Sequence, residues 1–215
     1  DELVEPGKAL APWQIYRSNA YGVQAALRRR GYLNVGLDHL PDDPAVLRSR
    51  LGVHLESHDS LILSGGVSMG RFDYIPQVLA ELSVKVVFHK VSQRPGKPLW
   101  FGIGAGGQTV YALPGNPVST LVCLVRYVLA GLETAQGMAP SPDSVELAES
   151  YDVKPALTLF VPVKVSRGER QRRATLKPTR GSGDFTSLID TDGFVELPPG
   201  PAVVPAGTRV PLYSW

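Results

Sequence analysis

Cysteine is almost absent from this sequence: Cys123 stands alone among 215 residues. An internal disulfide framework is thereby excluded, and a reducing compartment is the simpler setting. Cys123 lies in an apolar run and reads as a small core residue. Charge of one sign is scarce too. The formal net charge is +2, and the nearest thing to a basic cluster is Arg167, Arg170, Arg172 and Arg173. That run reads as a solvated hairpin tip, not as the concentrated basic face of a nucleic-acid binder, so no nucleic-acid partner is expected. No apolar stretch reaches membrane-spanning length without a charge or a proline, and no signal peptide is visible, so no membrane partner is expected. His39, His54, His58 and His89 lack zinc-site spacing. No nucleophile and base stand in a compelling arrangement, which fits chemistry in which electrostatics and a metal do most of the work rather than a covalent enzyme intermediate. An initiator methionine is missing as well; the chain opens on Asp1-Glu2-Leu3 and reads as a fragment.

What is present suffices for a core. Apolar residues make up 43 % of the chain, and its length suits one large domain or two small ones. Residues 1–17 read as a loop. Asn19 is placed to cap a helix that ends at Gly31, with Arg28 to Arg30 near the negative end of the helix dipole. Residues 33–40 read as a strand. Asp43-Pro44 is a cap followed by proline at the first helical position, and Leu47, Leu51 and Leu55 repeat behind it at helical spacing. A strand over 60–63 runs into a double glycine. Asp73 is placed to cap a helix carrying Val78, Leu79 and Leu82. Further strands are expected over 84–89, 99–103 and 109–113, and a long apolar helix over 117–132. This alternation predicts a layered α/β domain with a largely parallel sheet over residues 1–136. Residues 137–144, with the composition GMAPSPD and a serine, read as a linker. Beyond it no good helix is visible. Short strands over 157–166, 172–177, 194–197 and 209–213 predict a small all-β domain over 145–215.

Three segments carry the chemistry. Ser64-Gly65-Gly66 follows a strand, with Ser68 and Gly70 just beyond. Glycines allow positive φ and close approach to the main chain, and consecutive inward amides form an anion nest. A phosphate-bearing ligand is one occupant; a plain tight turn is the alternative. Pro114-Gly115-Asn116-Pro117 places a cap, a proline and a helix N-terminus together, either as a second anion site or simply as a good helix start. Lys90, Arg94 and Lys97 bracket the shape-restricted Pro95-Gly96 turn, where clustered cations suit an oxyanion or a transferring phosphoryl group. Asp42, Asp43 and Asp73 supply oxygens for a hard divalent cation, although Asp43 and Asp73 also serve as ordinary caps.

SGGVSMGRFDY, RPGKP and LPGNPVS, in this order and spacing, resemble the molybdopterin molybdenumtransferase family (MoeA-like, including the E domain of gephyrin). Asp1-Glu2-Leu3 is similar to the tail of its glycine-aspartate-glutamate motif, and Pro41-Asp42-Asp43 to its strand-end acidic motif. GFVELPPG at 193–200 and the GSG at 181–183 are similar to its C-terminal β domain. Two features depart from the pattern: two further upstream domains are not included here, and Arg94 stands where many relatives carry lysine. The C-terminal tail separates the chain from molybdopterin adenylyltransferases, which share only the α/β domain. The resemblance implies a three-layer MogA-like molybdopterin-binding α/β domain followed by a small barrel-like all-β domain. It implies a cytoplasmic transferase of molybdenum cofactor biosynthesis, which inserts molybdenum from molybdate into adenylylated molybdopterin with release of AMP. A non-catalytic pterin or nucleotide module, or a scaffold, is the alternative. Ser64, Gly65, Gly66, Ser68, Gly70, Pro114, Gly115, Asn116 and Pro117 are then expected to hold the ligand. Asp42, Asp73, Lys90, Arg94 and Lys97 are expected to act on it, and Asp42, Asp73 and Glu2 to hold Mg²⁺. A homodimer and a contact with molybdopterin adenylyltransferase are the implied partners.

Overall fold

The computed structural model describes residues 2–66, 74–139, 141–167, 171–181 and 183–215. In chain order the strands are β1 Leu3–Val4, β2 Ile15–Tyr16, β3 Ser60–Ser64, β4 Lys85–His89, β5 Gln93–Arg94, β6 Trp100–Ile103 and β7 Thr109–Leu113. They continue as β8 Asp143–Leu147, β9 Tyr151–Val153, β10 Thr158–Arg167, β11 Arg172–Leu176, β12 Gly193–Leu197, β13 Ala202–Val204 and β14 Arg209–Ser214. The helices are α1 Asn19–Arg29, α2 Pro44–Ser57, α3 Ile75–Glu81 and α4 Pro117–Ala135. Packing divides the chain into two compact units, one of residues 1–90 with 98–115, the other of 91–97 with 116–215.

In the first unit, α2 forms where the sequence places it. The Asp43 carboxylate accepts from the amides of Ala45 and Val46 at 2.8 and 3.0 Å, and Pro44 occupies the first turn. Its stripe of Leu47, Leu51 and Leu55 is buried against Leu61, Ile75, Val78, Leu79, Val110 and Trp100. α1 ends as expected: Gly31, at φ +87°, and Tyr32 return their amides to Arg28 and Leu27. Residues 2–17 hold the short parallel pair β1–β2, with Leu3 opposite Ile15, where the sequence reads as loop throughout. α3 starts at Ile75 behind Tyr74; Asp73, its expected cap, lies outside the described residues.

Two expectations for this unit do not hold. Residues 33–40 form no strand. Local and side-chain bonds take the place of a ladder: the Val35 amide donates to Leu33 O, Gln24 Nε2 donates to Val35 O, and Asp38 Oδ1 accepts from the His39 amide. Leu33 is 78 % exposed, so this segment has no buried face for a sheet to cover. Nor is the sheet largely parallel. Its described order is β3-β7-β6-β4, with only β3–β7 parallel. The turn over 104–107, closed by the Gly104 amide on Gln108 O, is too short for a crossover and makes β6–β7 a hairpin.

The second unit is a closed ring of five strands, β11-β8-β14-β12-β10, shut by the β10–β11 pairing. Closure leaves the ring no free edge among these pairings. Val145, Leu159, Val161, Val163, Val195, Leu197, Val210 and Leu212 fill it. β8 begins at Asp143, inside the stretch that reads as linker, and β9–β13 form a separate antiparallel pair. β5 adds outside the ring, parallel to β10, with Gln93 opposite Thr158. α4 belongs to this unit, as does the 91–97 loop. Among the described residues α4 is the one helix long and apolar enough to cross a membrane by length and composition, and half of that window is buried within the protein. A π-helical turn, Leu124–Val128, interrupts it. Arg126 there pairs with Glu196 at 3.0 Å and lies 5.2 Å from the ring centres of Tyr127 and Tyr213.

Candidate functional site

Ser64 and Leu113 are register partners in β3–β7, the parallel pair of the four-stranded sheet, so both strands deliver their following loops at the same sheet end. That end is the carboxyl end of parallel strands, the usual ligand-binding end of open α/β sheets. The Gly65 amide donates to Leu113 O at 3.1 Å, and an added Cβ on Gly115 would stand 3.7 Å from the Gly65 Cα. The two expected glycine segments therefore meet. Gly65 and Gly66 both have positive φ, +93° and +68°. Gly66 has a second reason to be glycine, since a Cβ there would come within 2.7 Å of Ile75 Cγ1.

Asn19 joins these loops. Its Nδ2 donates to Ser64 Oγ at 2.9 Å and to Gly115 O at 2.6 Å. The sequence places Asn19 as a helix cap, yet Ser18 occupies the cap position, without a side-chain cap bond. No spacing in the sequence could reveal this role, because its partners lie 45 and 96 residues away.

The other expected residues are distributed as follows. Ser68, Gly70 and Asp73 lie outside the described residues. Pro114 is buried, and Gly115 and Asn116 are exposed. Asn116 holds the N-cap position of α4, with Pro117 in the first turn, but its side chain does not close on the helix amides; its carbonyl accepts from Thr120 N and Oγ1. Lys90 is exposed in the first unit at φ +72°, and Arg94 and Lys97 are exposed in the second.

The base of the 91–97 loop is closed by the Val91 amide on Lys97 O at 2.9 Å. Inside it lies Gln93, 1 % exposed. Its Nε2 donates to Pro95 O at 3.0 Å and lies 3.7 Å from Cys123 Sγ; its Oε1 accepts from the Tyr127 hydroxyl. Cys123 is fully buried, as its apolar run implies, and burial pushes its thiol up to about 12. Burial likewise pushes the Tyr127 phenol up to about 12. Both groups therefore stay protonated at neutral pH and remain donors.

Asp42 and Glu2 are exposed, and Asp43 spends its carboxylate on the α2 cap. Among the described residues no group of three or more His, Cys, Asp or Glu side chains could hold a metal ion. A cavity of about 590 Å³ in the first unit is lined by Glu5, Lys8, Arg17, Tyr21, Asp38 and His39, with Leu3, Val4, Ala20 and Leu37. Glu5 pairs with Arg17 and accepts from the Tyr21 hydroxyl at 2.5 Å.

Asp38 ties this cavity wall to α2, meeting Arg50 Nη2 and His54 Nε2 at 2.7 Å each. Burial raises its carboxyl, but the His54 bond, the His39 amide and the Arg50 charge outweigh that and hold it below its ordinary value of 3.8. A depressed carboxyl contributes stability that is present above the unfolded value and lost as pH falls through the folded one. Asp38→Asn should therefore cost about 1 kcal/mol or less at pH 7. It should also flatten the loss of stability below about pH 4. Urea denaturation at pH 7 and pH 3 reads both; an unchanged pH slope contradicts this account.

Comparison with known proteins fits this geometry. The probable molybdopterin-binding domain family matches residues 1–134, and the MoeA C-terminal region (domain IV) matches residues 144–215. The chain is 42 % identical to a molybdopterin molybdenumtransferase of Synechocystis sp., over 100 % of this chain and 53 % of that protein. It is 36 % identical to one of Nostoc sp., over 98 % of this chain and 50 % of that protein. A crystal structure of the molybdopterin biosynthesis MoeA protein from Pyrococcus horikoshii superimposes with a TM-score of 0.79 at 30 % identity, covering 99 % of this chain and 51 % of that one. The chain spans about half the length of the curated relatives it matches. With both family regions present in succession and the glycine loops meeting at the carboxyl end of the parallel pair, this chain belongs to the MoeA-like molybdopterin molybdenumtransferase family.

Proposed function

We propose that this chain supplies the pterin-holding and molybdate-handling part of a cytoplasmic molybdopterin molybdenumtransferase. Its substrates are then adenylylated molybdopterin and molybdate, and its products AMP and the molybdenum-loaded dithiolene. The observation that carries the reading is the junction of Ser64-Gly65 with Gly115 under the Asn19 amide. Two positive-φ glycines beside a parallel strand end give the open main chain that a phosphate or pyrophosphate group requires. Arg94 and Lys97 are the cations for molybdate in this proposal. Mg²⁺ commonly takes one or two carboxylates and completes its octahedron with substrate phosphates and water. Asp42 and Glu2, with Asp73, are the proposed carboxylates, and the ligand supplies the remaining oxygens. A homodimer, and hand-over from molybdopterin adenylyltransferase, are the proposed partners.

Calorimetric titration with molybdopterin and adenylylated molybdopterin, with and without Mg²⁺, tests this reading. Metal-dependent preference for the adenylylated form is the expected result. Equal binding of both would leave a pterin module without the transferase role. In a parallel titration with molybdate, Lys97→Ala should weaken binding about tenfold, in line with the loss of one charge-assisted contact, while the urea midpoint barely moves. Unchanged molybdate affinity in that variant would remove Lys97 from the assignment.

A further inference from the structure

We propose that Gln93 and Tyr127 are positioning residues that set the shape of the Arg94–Lys97 loop, and through it the affinity of that loop for an oxyanion. The second half of this inference rests on the molybdate-handling role proposed above; the first half stands on geometry alone.

A glutamine 1 % exposed is an expensive residue to bury, and it is kept only where its amide is satisfied. Here both ends are used on the loop and its seat. Nε2 holds Pro95 O from within the turn, and Oε1 is held by the Tyr127 hydroxyl from α4. Tyr127 lies in the π-helical turn Leu124–Val128, an interruption of α4 at the point where it reaches the loop. Cys123 completes the seat, its Sγ 3.7 Å from both Gln93 Nε2 and Gly96 O. Gly96 is buried while Arg94 and Lys97, on either side of it, are exposed. The outer edge of the loop is fixed separately, by the pairing of Gln93 and Arg94 with Thr158 and Leu159 on β10. Two exposed charged side chains are thus mounted on a backbone pinned from inside and from one side. A preorganised loop pays less ordering entropy when it meets its ligand.

Cys123 is the chain's single cysteine, so its reaction with a small thiol reagent reports opening of this seat and nothing else. The informative variant is the double substitution Gln93→Met with Tyr127→Phe. Replacing both partners of a buried polar pair by apolar groups of similar shape leaves stability nearly unchanged, whereas either single change strands a polar group. Pro95 O still loses its donor in the double variant, so its urea midpoint should fall, but by less than in Gln93→Met alone, which also strands the Tyr127 hydroxyl. The double variant should label at Cys123 about tenfold faster under native conditions, at a rate independent of low denaturant, because Pro95 O has lost its donor. It should also bind molybdate about tenfold more weakly, and molybdate should slow labelling of the wild-type chain. Unchanged labelling in the double variant overturns the bracing. Faster labelling with unchanged molybdate affinity overturns the positioning role. If the wild-type chain binds no molybdate and Lys97→Ala changes nothing, the functional reading fails instead, and the labelling rates alone decide the bracing.

Discussion

Gly96→Ala should destabilise the second unit by about 3 kcal/mol, combining the strain of a left-handed residue that carries a Cβ with overpacking of a filled seat. Gly96 sits at φ +94°, and the new methyl would fall 2.5 Å from Cys123 Sγ and 2.6 Å from Gln93 Nε2. Neither neighbour can yield easily. The cysteine is on the buried face of α4, and the glutamine is held at both ends. The alanine must therefore displace the loop, so molybdate binding should fall along with the urea midpoint. A control separates the causes. Gly107 also has positive φ, +89°, but nothing stands within 4 Å of an added Cβ, so Gly107→Ala should cost only the backbone strain, about 1 kcal/mol. Equal midpoints for the two variants would mean that the seat around Gly96 is not filled as described.

Asn19→Ala removes both bonds of the amide that joins the two glycine loops. About 2 kcal/mol of stability should be lost, the sum of two ordinary hydrogen bonds in a partly exposed setting. The larger effect should be on ligand. With the amide gone, Ser64 and Gly115 are no longer held to a common point, and the pyrophosphate end of adenylylated molybdopterin should bind at least tenfold more weakly. Asn19→Asp is the sharper companion. Nearly isosteric, it replaces the donor by a carboxylate that faces the Gly115 carbonyl oxygen and the expected anion, so it should bind ligand more weakly than the alanine variant. Calorimetry on both variants gives the order; an aspartate that binds as well as wild type would show that no anionic group sits beside Asn19.

Much of this was legible in the sequence because the signals were local. Asp43-Pro44 names its own helix, and the stripe at 47, 51 and 55 names the face. In the second unit β10, β11, β12 and β14 were found within a residue or two where β-branched runs met Gly/Pro turns, whereas β8, β9 and β13 were not. What failed was non-local. Residues 33–40 carry a strand's composition, but strands exist only in pairs, and side chains of α1 and α2 claim this segment first. The parallel sheet was inferred from alternation, and alternation does not say whether a strand returns by hairpin or by crossover. In the site, the glycine loops were visible as residue types. Asn19 and Gln93 were not, because an amide side chain shows its value only when its distant partners are in place.

The fate of α4 bears on how this chain can be dissected. Family matches break it near residue 140, placing α4 with the first region. Packing places α4, and the seven residues 91–97, with the barrel. The inherited unit and the physical unit thus trade segments. A truncation drawn at the inherited boundary would separate an apolar helix from the strands that cover it, and would take from Gln93 and Arg94 the strand to which they are paired. The two regions are neighbours in this chain, and a swap of one of them between relatives would have to carry the loop and the helix across as well.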